Sequence, residues 1–92
     1  MATYNVNRAK HVALTGSTVD TVNFAYSGSV VRVHNHATSG DIYFTIDGTT
    51  PTAAGDDTYF VAPGTSVTIS DSKVATIKLI SSSTPTYSAE LY

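Results

Sequence analysis

Apolar and polar positions alternate in short runs along this chain, and no run has the period of a helix. Val31 and Val33 fall on one side of an extended segment, with Arg32 and His34 on the other. Ile42, Phe44 and Ile46 form an apolar row against Tyr43, Thr45 and Asp47. Val22 with Phe24, Val67 with Ile69, Ile77 with Leu79, and Tyr87 with Ala89 and Leu91 give further rows, while Val30 and Ile80 fit either face. The rows predict strands at 10–14, 19–24, 29–35, 41–46, 58–61, 66–69, 74–81 and 86–91. Turn residues separate them: Gly16-Ser17, Ser27-Gly28, Thr38-Ser39-Gly40, residues 48–55, Pro63-Gly64, Asp71-Ser72 and residues 82–85. About eight short strands at this spacing predict an all-β fold, an antiparallel β-sandwich or barrel. The first residues are polar and are read as lacking strand alternation. The expected division is a flexible arm over 1–8 and one sandwich domain over 9–92.

The best-marked break follows the row ending at Ile46. Gly48 accepts φ > 0 at little cost, and Asp47 can bond back to the backbone. Pro51 pushes Thr50 into an extended conformation and blocks a helix. Asp47, Gly48 and Pro51 are therefore candidate structural turn residues.

Composition narrows the classes of function. A chain of 92 residues predicts one domain with a modest core. It has no cysteine, hence no disulfide framework and no thiolate metal site. The first ten residues contain no apolar run, so no signal peptide is expected, nor is any segment apolar for long enough to span a bilayer as a helix. A formal net charge of -2 with 13% charged residues leaves no basic footprint for nucleic acid. Abundant Ser and Thr suit a β-protein whose surface is partly covered by neighbours.

Four groups of residues invite a chemical reading. His34 and His36 form His-x-His on one face of a strand end, with His11 a conceivable third metal ligand. No carboxylate sits at a telling spacing, so they are read as exposed strand-end histidines. Asp41, Asp47, Asp56 and Asp57 could gather oxygen ligands for calcium, but the EF-hand pattern is missing and Gly55-Asp56-Asp57 reads as a turn. Serines with His34 and Asp47 can be assembled on paper into a catalytic set, yet no elbow motif marks a nucleophile. The expectation is no enzyme, no cofactor and no metal. Six tyrosines could supply a sugar platform, with Tyr43 and Tyr59 the best pair, although Trp is absent.

Three pieces recur in order as a family pattern: residues 42–52 (IYFTIDGTTPT), 57–59 (DTY) and 74–80 (VATIKLI). The first resembles the turn of chitobiase C-terminal-type Ig-like domains. Residues 42–52, 55–59 and 77–88 together more closely resemble small virion proteins of tailed bacteriophages, especially those of actinobacteria. The likeness covers about the C-terminal half; residues 1–35 match no motif.

This resemblance implies an Ig-like antiparallel β-sandwich serving as a head-decoration, or cement, protein on the capsid exterior. It would be made in the host cytoplasm and not secreted. The implied partner is the major capsid protein, met through many weak contacts summed by avidity. A homo-oligomer, with a trimer favoured, would match a local threefold axis of the lattice. Tyr4, Val6 and Arg8 on the arm are the candidate partner contacts. The alternatives are a carbohydrate-binding or adhesion module with a glycan partner, and a tail component of the virion.

Overall fold

The computed structural model describes residues 2–92, apart from the side chains of residues 71 and 72. It contains seven strands and, among the described residues, no helix. They are β1 (Ala2–Val6), β2 (Ala9–Ala13), β3 (Asp20–Asn35), β4 (Ile42–Thr45), β5 (Tyr59–Val61), β6 (Ser66–Ile80) and β7 (Thr86–Leu91). The hydrogen-bonded order is β2-β7-β3-β6-β4-β5, with β1 added against β3.

The two long strands each serve both layers of the sandwich. The first half of β3 pairs with the last part of β6 (Val22 opposite Ile77), and its second half pairs with the first part of β6 (Val33 opposite Val67). The first layer runs β1, β3, β6, β4, β5, and the second runs β6, β3, β7, β2. Inward rows from both layers meet in one core. Val22, Phe24, Ile42, Phe44, Ile77 and Leu79 come from the first layer, and Val31, Val33, Tyr87, Ala89 and Leu91 from the second. The period-2 pattern fixes these faces because each strand must turn its apolar side to the other layer.

Three expectations are corrected. The predicted breaks at Ser27-Gly28 and at Asp71-Ser72 do not end strands; β3 and β6 run through both positions. The register between β3 and β6 shifts around Gly28, and Ala25, Tyr26 and Ser27 are all exposed in the disrupted stretch. A bulge bends a strand without ending it, and so carries it from one layer to the other. The third correction concerns the arm. Ala2–Val6 is a strand, parallel to β3, with Tyr4 beside Val22 and Val6 beside Phe24. Ala2, Tyr4 and Val6 alternate in burial with Thr3 and Asn5. One bulky and two small side chains gave too faint a periodicity to read. Met1 lies outside the described residues.

Candidate functional site

The marked turn forms as the residue types require. Gly48 has φ +86°. The Asp47 carboxylate accepts hydrogen bonds from the Thr49 N–H at 3.1 Å and the Thr49 hydroxyl at 2.6 Å. These two bonds hold the Asp47 carboxyl below its ordinary pKa. Thr45 donates its hydroxyl to the Thr49 carbonyl at 2.6 Å, and Pro51 is buried. The loop over residues 46–58 opens into a cleft of about 630 Å³, lined by Thr45, Ile46, Asp47, Thr49, Asp57 and Tyr59 among others. Asp56 and Asp57 reach this cleft with Asp47, while Asp41 is absent from its walls. Among the described residues, no group of three His, Cys, Asp or Glu side chains is placed to hold a metal ion.

Tyr43 and Tyr59 do not form a platform. Tyr43 stands opposite Phe60 and Tyr59 opposite Phe44, so strand alternation puts the tyrosines on opposite faces of the β4–β5 hairpin. Tyr59 stacks on the buried Phe44 ring at 5.3 Å between centroids. Tyr43 instead stacks on Phe60 at 5.5 Å, and Phe60 is 50% exposed. Tyr43 also stands beside Ile80 of β6. Next to this apolar row lies a polar ladder. Thr3, Thr21 and Lys78 are neighbours across the layer, as are Asn5, Asn23 and Thr76. The Asn23 amide donates to the Asn5 side-chain oxygen at 3.2 Å, and the Thr76 hydroxyl donates to the Asn23 oxygen at 3.0 Å. Lys78 is the one charged residue in these rows.

The second layer's outer face gathers all three histidines. His34, Ser88 and His11 are neighbours in one row across β3, β7 and β2. His36 extends past β3 and tilts against the His34 ring at 4.3 Å. The Ser88 hydroxyl lies 2.5 Å from both His11 Nδ1 and His36 Nε2. A neutral hydroxyl can donate to one imidazole and accept from the other, so the two rings must present opposite functions to it. His34 Nδ1 is buried without a partner. Burial first, then the neighbouring His36 and Arg32, hold the His34 pKa below its ordinary value. The adjoining row pairs Arg32 with Glu90 at 3.2 Å.

The cluster is not arranged for acyl transfer. Ser88 is only 4% exposed, and Glu90, the carboxylate of the next row, is engaged by Arg32. His34 and Asp47, paired on paper in the sequence, sit in different layers. Deep in the core, Tyr87 donates its hydroxyl to Asp20 at 3.2 Å. Burial raises the Asp20 carboxyl against the opposing pull of that bond. Burial and the neighbouring carboxylate push the Tyr87 phenol up in turn.

Two of the three candidate contacts on the arm, Tyr4 and Val6, are partly buried within the fold. Tyr4 and Val6 pack against the core, and Lys10 Nζ sits 4.3 Å from the Tyr4 ring centroid. Arg8 stays exposed, with its guanidinium 4.9 Å from the Tyr26 ring centroid. Sequence reasoning missed Phe60, Ser88, Asp20 and the Arg32–Glu90 pair. Each depends on which strands become neighbours, and pairing leaves no local signal.

No family model and no curated protein sequence matches the chain. Among solved structures, the fold is similar to the pre-peptidase C-terminal domain of collagenase from Bacillus anthracis. The two share 16% sequence identity over 100% of this chain and 95% of that one, with a TM-score of 0.51. At that identity the likeness shows a shared β-sandwich fold.

Proposed function

We propose that this chain is a non-catalytic structural protein of a bacteriophage virion, a decoration protein that binds the outside of the head and stabilises it. The sequence resemblance over residues 42–52, 55–59 and 77–88 motivates this reading. The observation that carries it is the outer face of the first layer. There Tyr43 and the half-exposed Phe60 form a small apolar centre beside a ladder of Thr and Asn side chains. Protein contact surfaces have this make-up, with charge depleted at the centre and aromatic residues enriched. Such a patch gives each copy a weak contact, and a lattice of repeated capsid subunits turns many weak contacts into firm coating. Binding only to the mature lattice would then stabilise it by mass action.

Adding the purified protein to undecorated capsids and counting bound copies tests the proposal. The wild type is expected to bind in proportion to capsid subunits and to raise the temperature of head rupture. Phe60→Ser should stay folded, because Phe60 is half in solvent, and should bind fewer copies. No binding by the wild type would end the decoration reading.

A second reading, glycan binding, is favoured by the open cleft at residues 45–59, which Tyr59 and several Thr residues line together. Binding on a glycan array, lost in Tyr59→Ala, would support it over decoration.

A further inference from the structure

We infer that two copies of this chain join through the free edge of β6, Ser66–Ser70, to make one continuous sheet across a twofold axis. In the second layer these residues pair with β3 on one side, and among the described residues no strand lies on the other. Strand edges in natural proteins are usually protected by charge, proline or a bulge. The segment SVTIS has neither charge nor proline, its register with β3 is unbroken and shifts only past Ser70, and its β-branched residues favour pairing.

The hydrogen-bond phase shows which backbone groups are free. The Asn35 N–H donates to the Thr65 carbonyl at 2.9 Å, whereas the His36 N–H donates to the Thr86 carbonyl at 2.9 Å. Odd-numbered residues of this part of β3 thus face β6, and even-numbered ones face β7. Val33 stands opposite Val67, and Val31 opposite Ile69. The backbone groups of Val67 and Ile69 are therefore satisfied by β3. Those of Ser66, Thr68 and Ser70 point outward, at the empty edge.

An antiparallel copy centred on Thr68 answers each outward group. Thr68 meets Thr68, and Ser66 meets Ser70 twice, each pair exchanging N–H and C=O bonds. Val67 then stands beside Ile69 of the second copy. Both side chains are half-buried against the core here, and the second copy would cover them further. Cross-strand Thr–Thr pairs are among the favourable ones, and Val67 beside Ile69 adds apolar burial. No charge is brought together, and the contact is isologous, so it closes at two copies.

The other edges are poorer self-partners. β5 has only three residues. Twofold pairing of β2 would set His11 against His11 beside two copies of Lys10. Pairing of β1 about Tyr4 would bring together the two Lys10 ammonium groups that lie over the Tyr4 rings.

The proposal is independent of the decoration reading and is tested on the protein alone. Sedimentation of the wild type is expected to give twice the chain mass, falling to the monomer on dilution. Thr68→Pro removes only an outward N–H, so it should yield a folded monomer with an unchanged β-type circular dichroism spectrum. Thr68→Cys should form a covalent dimer on mild oxidation, because directly opposed residues of a bonded pair lie about 5.5 Å apart between Cα atoms. Thr76→Cys, on the other layer's outer face, should not. The cysteine pair decides the matter even if the proline variant fails to fold. A wild type that stays monomeric at all concentrations overturns the inference. So does a trimer, or a Thr68→Cys variant that does not cross-link.

Discussion

The crossing of β3 at Gly28 and the β4–β5 loop at Gly48 both place a glycine where a strand pattern breaks, and different physics fixes each. A Cβ at Gly28 would lie 2.5 Å from the Tyr92 carbonyl oxygen and 2.8 Å from Leu91 Cγ. Both obstacles belong to the last two residues of the chain. The Tyr92 N–H donates to the Val30 carbonyl at 2.8 Å and pins that end against the crossing. At Gly48 a Cβ meets nothing within 4 Å; its φ of +86° is what disfavours a side chain. Gly28 is required by contact with a segment distant in sequence, and Gly48 by its own backbone torsion. The crossing is thus closed to a side chain by its neighbours, while the turn has open space around Gly48 and is limited by torsion alone.

The largest expected effect tests the loop's root. Phe44 is fully buried and stacks on Tyr59, which returns the chain from the loop. Phe44→Ala should cost about 3–5 kcal/mol in chemical denaturation, through lost burial and a residual cavity. A loss below about 1 kcal/mol would mean that the root collapses freely. Next comes the crossing. Gly28→Ala should cost about 2–3 kcal/mol, because backbone and the packed Leu91 must both move. An unchanged melting temperature would show that the C-terminal residues yield, and contact would then not be what requires glycine at position 28. Gly48→Val comes third, at about 1–2 kcal/mol from a β-branched residue forced to φ > 0. Gly48→Asn should recover most of that loss, since Asn tolerates the left-handed region. If Asn were as damaging as Val, space and not torsion would be the constraint.

The smallest effect is set by acid and comes from groups outside the crossing as well as in the loop. His34, near the end of β3, has its folded pKa lowered, so the unfolded chain binds more protons as the pH falls past about 6.5. Its contribution is present above that value and is lost on descent toward the folded pKa. Asp47 in the loop also has a lowered pKa, and its contribution is lost only below the ordinary carboxylate value of 3.8. Asp20 has the opposite sign. Its raised pKa costs stability as the pH climbs past 3.8, so acidification relieves it. Melting temperature followed from pH 7.5 to 5.5 should thus fall slightly in the wild type and less in His34→Gln. An identical slope in both would remove His34 from the account.

The rows at Val31/Val33, Ile42/Phe44, Ile77/Leu79 and Tyr87/Ala89/Leu91 face the core as their alternation predicts. The Asp47-Gly48 turn forms where its residue types require. Both signals are local, because a pleat repeats every two residues and a left-handed φ selects glycine. Ser27-Gly28 shows the limit of such reading. The dipeptide resembles a turn, yet it is a bulge in a continuous strand, a difference set by the residues that pack against it. Ala2–Val6 shows another limit, since a parallel partner supplies the order that its faint pattern lacks.

Candidate site residues were less legible than the core. His34 and His36 share a face by spacing alone, but His11 and Ser88 join them only through strand pairing. Tyr43 and Tyr59 flank one loop in sequence, and register places them on opposite faces while giving Tyr43 a different partner in Phe60. The sequence by itself determined the strand content, the inward rows, the marked turn and the scarcity of charge, because these follow from residue type and near neighbours. Only the tertiary structure decided which strands run on through their breaks, which side chains meet across the layers, and which edge stays open. Those outcomes depend on contacts between residues tens of positions apart, and their energies are not written in any single stretch of chain.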